Sequence, residues 1–538
     1  MRYGFIIDNR KCIGCHACTT ACKSEHDVPI GVNRTWVKQV EKGTFPNTRR
    51  LFSVMRCNHC TDAPCVEICP VEALYFREDG IVDFDKRRCI GCKSCMQACP
   101  YDALYIDPET HTAAKCNYCA HRVDLGLEPA CVNVCPEHAI ISGDMEDEDS
   151  EIFQLLSRQQ VKVRKAEKGT QPNLFYIDGD EASLNPSFTE KSDTYLWNAQ
   201  TRGVGHYAKE AEKLAWSNDD VLKAVMQANG QNSLEGGSVK SIELMLAGAE
   251  KARRAYDAPN KGILWGWEVS AYVLTKAISA GVFMVLFMAN FFNWGLDSDG
   301  ALWWTLGTAL VFLGLTGAFL VKDLDRPDRF LNVIFRPQWK SWLVRGGYGI
   351  TFYGGLLTLI AVAAYFNWQT IADFAKIITL LLSVFVAIYT AFLFAQAKGR
   401  DFWQSPTLAL HMLIHSLMAG AASFLLLAVV DQSSFETGGF LNNFLMIGIG
   451  LNLLIMFFEF LTPHMTEDAH RTADMILKGR YSRLFWLGAI GLGNVLPLFL
   501  LTFSNQNMTS ALAGLFALAG IYLTEKIWVE APQRIPLS

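Results

Sequence analysis

The sequence predicts an α+β module folded around cysteines, followed by an all-α bundle of eight transmembrane helices. Three observations carry this. All sixteen cysteines lie between Cys12 and Cys135. After Trp265 the chain passes through eight apolar stretches, each near the ~20 residues that cross a bilayer. A polar stretch separates the two halves. Composition agrees: 538 residues suffice for more than one domain, and 51% hydrophobic residues with a mean hydropathy of +0.16 exceed what a soluble globule usually shows. A formal net charge of −5, with no basic run interleaved with aromatics, gives no sign of nucleic-acid binding.

The cysteines fall into four groups with none left over: Cys12, Cys15, Cys18, Cys22; Cys57, Cys60, Cys65, Cys69; Cys89, Cys92, Cys95, Cys99; and Cys116, Cys119, Cys131, Cys135. The first and third read C-x2-C-x2-C-x3-C, the bacterial ferredoxin spacing, in which three close thiolates wrap one cubane and the fourth reaches its neighbour. Proline follows three groups, at Pro70, Pro100 and Pro136, whereas Lys23 follows the first. A disulfide framework suits a small secreted domain, and the opening "MRYGFIIDNRKC" lacks the apolar stretch of an export signal. Zinc would suit the pairs Cys57/Cys60 and Cys116/Cys119, but it does not call for tight triplets with an offset fourth cysteine. The expectation is four [4Fe–4S] clusters. Because each offset cysteine serves the partner cluster, nesting joins Cys57, Cys60 and Cys65 with Cys99, and Cys89, Cys92 and Cys95 with Cys69. Likewise Cys12, Cys15 and Cys18 take Cys135, and Cys116, Cys119 and Cys131 take Cys22. Four clusters with no substrate pocket of their own make a wire.

This half resembles the four-cluster electron-transfer subunit of membrane-bound molybdopterin oxidoreductases of the dimethyl sulfoxide reductase and polysulfide reductase type. The four motifs, their order and the later "KGTQPNLFYIDGD" carry the resemblance. Some relatives replace a third-group cysteine and hold a three-iron cluster; Cys95 is present here, so the resemblance implies four cubanes, all four-iron. The fold class expected is thus an α+β ferredoxin-like double module, then the helical bundle.

Along the chain, "LFSVMRC", "GIVDFD" and "ALYID" read as small strands between cluster loops. The ferredoxin-type domain is expected over 1–185. Residues 186–262 read as a helical linker, with helical spacing in "AKEAEKLAW" and again from Val239, where Ile242, Leu246 and Ala249 share a face. The membrane domain is expected over 263–538, with spans near 269–292, 301–321, 344–365, 371–396, 407–430, 440–461, 484–503 and 509–528. "WGWEVSAYVLTKAISAG", "KDLDRPDRFLNVIFRP", "SWLVRGGYG", "YTAFLFAQ" and the closing "PLS" resemble the NrfD/polysulfide reductase membrane-subunit family. That resemblance implies a quinone, menaquinone or ubiquinone, bound close to the ferredoxin domain, and no haem.

An even number of spans returns the C-terminus to the ferredoxin side. On that side Lys and Arg crowd the flanks (Lys251 to Lys261, Lys322 to Arg345, Lys398 and Arg400, Arg471 to Arg483, Lys526 and Arg534), whereas Lys376 stands alone on the other. By the positive-inside rule the ferredoxin domain and the C-terminus face the cytoplasm, in an inner-membrane, multi-pass protein. Several related complexes place that domain outside, so analogy and charge disagree, and the charge bias sets the expectation here.

Quinone chemistry moves two electrons and two protons, and an ionisable side chain inside a span is a functional candidate by default. Glu268, Tyr272 and Lys276 recur at i, i+4 and i+8, one stripe of the first span. Lys276 could instead snorkel, being only ~10 Å along the helix from Val269. His411 is the fourth quinone-site candidate, with His415 one turn on; His464 and Glu459 lie near the same end. Two histidines at i and i+4 on one helix cannot grip opposite faces of one haem iron, although His411 with His464 could. Asp323, Asp325, Arg326, Asp328 and Arg329 form the loop expected against the ferredoxin domain, the arginines as interface groups or quinone ligands.

The function read from these residues is an electron-transfer and membrane-anchor subunit, passing electrons between quinone and a separate molybdopterin (molybdenum or tungsten) catalytic chain. Sulfur-compound respiration or oxidation is favoured by resemblance. The alternatives are a ferredoxin:quinone or hydrogenase-linked module without molybdenum, and a redox sensor.

Overall fold

The computed structural model of the protein describes residues 1–44, 46–189, 252–258, 261–435, 439–462, 464–503 and 507–538. The helices expected at "AKEAEKLAW" and from Val239 lie outside the described residues.

The cysteine-rich half is two nested modules. In the inner one, two copies of a short helix followed by a hairpin face each other: Pro64–Ile68 with β4 (Leu74–Phe76) and β5 (Val82–Phe84), and Ser94–Ala98 with β6 (Leu104–Ile106) and β7 (Ala113–Lys115). The outer module is built on β1 (Tyr3–Asp8), whose Phe5, Ile6 and Ile7 are buried. β1 pairs antiparallel with β8 (Ile140–Asp144) and parallel with β10 (Leu174–Ile177), and β9 (Val161–Lys162) closes that sheet. Burial on both faces explains the continuous apolar run in β1, as expected of a central strand. β10 is the "LFYI" of the later motif, which therefore belongs to the first sheet. The strands expected in "LFSVMRC", "GIVDFD" and "ALYID" appear in β3 (Asn47–Arg56), β5 and β6.

The linker read as helical ends differently. Ala252–Tyr256 is a strand, β11, antiparallel to β2 (Thr35–Thr44) and extending the β2–β3 hairpin to three strands. Asp257 just after it accepts the Trp36 indole N–H at 2.8 Å and pairs with buried Arg254 at 2.7 Å. The chain thus returns to the cysteine-rich domain before entering the membrane half. Backbone pairing with a hairpin some two hundred residues upstream leaves no periodicity signal in a five-residue run.

Among the described residues eight helices are long and apolar enough to cross a membrane: Trp267–Phe291, Asp299–Lys322, Trp342–Tyr365, Gln369–Gln396, Leu408–Val430, Phe440–Leu461, Leu484–Phe503 and Asn507–Arg534. They match the eight expected spans within a few residues. The first is the most buried and packs against the second, fourth, fifth and eighth. Its crossing with the fifth is backbone-close: a Cβ on Gly281 would sit 1.8 Å from the Ser416 carbonyl oxygen, the small-residue packing that membrane helices favour. Val311, Phe352, Leu381 and Leu487 point outward, as lipid contact requires. The seventh span opens as a π-helix over Leu484–Val495 before Leu496–Phe503 continues as α-helix. Pro497 at that junction has no N–H to donate.

Candidate functional site

The structure gathers the cysteines into four sets. Cys69, Cys89, Cys92 and Cys95 line one pocket, and Cys12, Cys15, Cys18 and Cys135 line another, both partly open to solvent. Cys57, Cys60, Cys65 and Cys99 are mutual electrostatic neighbours, as are Cys22, Cys116, Cys119 and Cys131. The thiols ring a space instead of converging: among the described residues no group of three or more Cys, His, Asp or Glu side chains is placed to hold one ion, as zinc would need.

The donors fit an iron–sulfur cluster. Backbone N–H groups point at sulfur, from Ala73 to Cys69 at 3.2 Å, Gly91 and Ala113 to Cys89 at 3.4 Å each, and Ala139 to Cys135 at 3.3 Å. Burial pushes the Cys18 thiol up to about 11 and those of Cys92 and Cys119 to about 12. Thiols so reluctant to ionise alone need a cationic core to hold them as thiolates.

The sets follow one another in a line. Cys18 neighbours Cys131, Cys116 neighbours Cys57, and Cys65 neighbours Cys95. The last set, Cys69/Cys89/Cys92/Cys95, is seated on the membrane helices. Trp265 donates its indole N–H to the Cys92 carbonyl (3.1 Å), Arg329 donates to those of Lys86 (2.7 Å) and Cys89 (3.2 Å), and Gln338 to that of Cys69 (3.0 Å). Lys93 reaches the Asp323 carbonyl at 2.9 Å and the Asp325 carboxylate at 3.2 Å. Gly91, at φ +71°, lets the loop close: a Cβ there would meet Asp325 Cβ at 2.7 Å. Arg326 pairs with Asp328 and donates to the Thr110 carbonyl. Both arginines are therefore interface groups.

Of the four residues expected at a quinone site, Glu268 is half-buried near Asp323, while Tyr272, Lys276 and His411 are buried. Lys276 does not snorkel. Its Nζ donates to Thr390 Oγ1 (2.6 Å) and the Ala387 carbonyl (3.0 Å), 4.7 Å above the Tyr389 ring. Tyr272 lies beside the same Thr390, so the stripe faces the fourth span. His411 belongs to another group: its ring lies 4.2 Å from that of His415, and its Nδ1 3.8 Å from Glu459. His464 packs instead near Phe402.

The family described as "Polysulphide reductase, NrfD" matches residues 257–529, just over half of the chain, and 4Fe-4S dicluster domains match residues 11–74 and 48–145. The protein belongs to the NrfD polysulphide reductase family. Its cysteine-rich part is 47% identical over 200 residues to a tetrathionate reductase subunit of Salmonella typhimurium, covering 36% of this chain and 80% of the relative. It is 43% identical over 188 residues to a polysulfide reductase component of Wolinella succinogenes, covering 34% and 97%. It is 33% identical over 225 residues to the arsenate respiratory reductase iron-sulfur subunit of a Shewanella species, covering 33% and 96%. This NrfD-type protein is an iron–sulfur electron-transfer subunit fused to its own multi-pass membrane anchor.

Sequence reasoning passed over one member of the NrfD-type domain's buried polar group. Glu525, on the eighth span, accepts from or shares a proton with His415 Nδ1 at 2.7 Å and lies within electrostatic reach of Lys276. Nε2 of both histidines and both oxygens of Glu459 have no hydrogen-bond partner among the described residues. Glu525, His415, His411 and Glu459 thus form a buried chain across three helices, with Lys276 on a fourth helix within electrostatic reach of Glu525. A glutamate inside an apolar span was itself the signal that would have found Glu525.

Proposed function

We propose that the protein carries electrons between a membrane quinone, menaquinone or ubiquinone, and a separate molybdopterin catalytic subunit, through four [4Fe–4S] clusters on its sixteen cysteines. One observation carries the reading: the Cys69/Cys89/Cys92/Cys95 set is bonded through its loop carbonyls to Trp265, Arg329 and Gln338. Trp265 immediately precedes the helix that carries Glu268, and Asp323, which Lys93 of the same cysteine loop reaches, lies near Glu268. Bound clusters supply one-electron transfer in steps. The protein residues orient and protonate: Glu268 and Tyr272 offer hydrogen bonds to the quinone carbonyls, and the Glu525–His415–His411–Glu459 chain, with Lys276 in electrostatic reach of Glu525, takes the two protons that leave a quinol on oxidation, or supplies them on reduction. The excess of Lys and Arg on the ferredoxin side supports a cytoplasmic position for that domain. The relatives' names span tetrathionate, polysulfide and arsenate, so what they have in common supports the wire and leaves the acceptor open. A sulfur oxyanion or polysulfide is our preferred substrate class.

The test is metal analysis of the detergent-solubilised native complex, with identification of co-purifying chains and turnover of a quinol analogue. About sixteen iron atoms per chain, molybdenum or tungsten, and a large second chain are expected. Nickel, or no such metal and no large partner, would replace this reading with the hydrogenase-linked or ferredoxin:quinone module. Full iron without quinol turnover would favour a sensor.

A further inference from the structure

Several cations beside the cysteine sets have carboxylate partners. Lys93 pairs with Asp325, Lys261 near Cys99 with Asp102 at 2.7 Å, and Lys86 with Asp107 at 2.6 Å. Arg56 differs. It is fully buried, its Nη1 lies 3.1 Å from Cys131 Sγ, and its guanidinium carbon stands 4.4 Å over the Phe5 ring. Its Nε and Nη2 have no hydrogen-bond partner, and no carboxylate lies within ion-pair distance among the described residues. Lys115 is also fully buried, and its Nζ donates to the carbonyls of Val82 and Cys116, the latter at 2.9 Å. It too has no carboxylate at ion-pair distance among the described residues.

The two cations occupy consecutive joints of the line. Arg56 neighbours Cys18 on one side and Cys131 and Cys116 on the other; Lys115 joins Cys116 to Cys57. Between them lies the Cys22/Cys116/Cys119/Cys131 set, which also has His26 Nε2 3.2 Å from Cys119 Sγ and Arg34, bonded to Asn117 at 3.3 Å, near Cys22. A buried guanidinium without an anion beside it is strongly unfavourable. Among the described residues the groups that favour the Arg56 charge are the sulfurs of Cys131, Cys116 and Cys18.

We propose that Arg56, with Lys115, makes the cluster held by Cys22, Cys116, Cys119 and Cys131 the most readily reduced of the four, an electron-holding step second from the outer end. The inference rests on the cluster assignment above. Each hop oxidises one cluster and reduces the next by one electron; no bond is made, and no proton moves, because a guanidinium stays charged throughout. A fixed positive charge and an N–H···S bond both favour the form with the extra electron, and burial prevents water from screening them. The location has a consequence for turnover. Quinone and a molybdenum centre exchange electrons in pairs, and a step that retains one electron lets the outer cluster deliver the second without waiting for the membrane.

The experiment is a redox titration of the purified full-length protein, following each cluster by electron paramagnetic resonance, for wild type, Arg56→Gln, Arg56→Lys and Lys115→Gln. The highest-potential cluster is expected to move down in Arg56→Gln, its reduced-to-oxidised ratio at fixed potential falling about tenfold, which for one electron is 59 mV. Arg56→Lys, which keeps charge, should recover part of that shift, and Lys115→Gln should move the same cluster less. Four clusters with unshifted potentials in Arg56→Gln would overturn the proposal while leaving the wire intact. Loss of one cluster from Arg56→Gln, with unshifted potentials in Lys115→Gln and Arg56→Lys, would make Arg56 a strut and overturn it too. Fewer than four clusters in wild type would instead refute the assignment beneath it.

Discussion

At the membrane end of the ferredoxin domain, Cys95 packs against side chains of the anchor, hydrogen bonds and ion pairs hold the Cys89–Cys95 loop to Trp265, Asp323, Asp325 and Arg329, and Gln338 holds the Cys69 carbonyl. At the outer end Cys15 is exposed and Ile13 beside it is 56% exposed. The same cysteine spacing opens both loops, so ligation does not set this difference. What differs is the company. A joint inside one chain can be fixed once, at folding; a surface that meets another chain must stay open, and apolar side chains beside it suit a partner interface.

Substituting one ligand at each end should break the symmetry of the two loops most strongly. Cys92→Ser is expected to abolish reduction of the remaining clusters by a quinol analogue, a loss beyond the ~10–100-fold typical of disturbing groups around a metal. Cys15→Ser should leave quinol-driven reduction of the other three clusters intact and stop transfer to the partner. Rapid-mixing absorbance at cluster wavelengths separates the two; equal loss at both ends would deny the joint its role. Next in size is the proton side. His411→Phe or Glu459→Gln should slow quinol oxidation by roughly 100-fold, the lower range for a lost acid–base group, with cluster potentials unchanged. An unaltered rate would remove the histidine chain from the mechanism.

The glycines test the joint more gently. Gly14 and Gly91 have nearly the same φ, +72° and +71°, so alanine at either costs about 1–2 kcal/mol of backbone strain. A Cβ on Gly14 meets the Phe52 ring, which belongs to the ferredoxin domain, while one on Gly91 meets Asp325 of the anchor. Urea denaturation should show similar destabilisation in Gly14→Ala and Gly91→Ala, and only Gly91→Ala should also slow quinol-driven cluster reduction.

The two halves were unequally legible in the sequence. Cysteine spacing encodes ligation directly, and lipid demands long apolar helices, so the sixteen thiols and eight spans could be read from the residues alone. The seat of the Cys69/Cys89/Cys92/Cys95 set could not, because Trp265 and Gln338 bond to the Cys92 and Cys69 main-chain carbonyls, which carry no residue identity. Lys276 was ambiguous for a similar reason: helix geometry sets its depth, but whether it bends outward or inward depends on Thr390 of another helix. β11 and the π-helical turns near Leu484 are likewise choices of tertiary pairing. Glu525 was readable as a charge inside an apolar run, and only its partner His415 needed the fold.

The smallest effect expected distinguishes the ends by the sign of a pH response. At the outer end, the Arg10 guanidinium, bonded at 2.8 and 2.7 Å, holds the Asp8 carboxyl below its usual range. Its contribution to stability is present above the unfolded value near 4 and is lost as pH falls through the lower folded value. At the joint, burial pushes Asp323 up to about 7, with Glu268 and Asp325 adding to the rise and Lys93 opposing it. There the folded state keeps a proton that the unfolded chain has released between the usual carboxylate value and about 7. Stability from this group therefore falls as pH rises through that window, by at most about 1.4 kcal/mol per pH unit, and is level above it. Asp323→Asn should flatten the slope of the urea midpoint, measured by loss of cluster absorbance, between roughly pH 5 and 7, whereas Asp8→Asn should leave that window unchanged. A slope that survives Asp323→Asn would mean that the joint is held by its main-chain bonds alone and that the buried carboxyl titrates without consequence for docking.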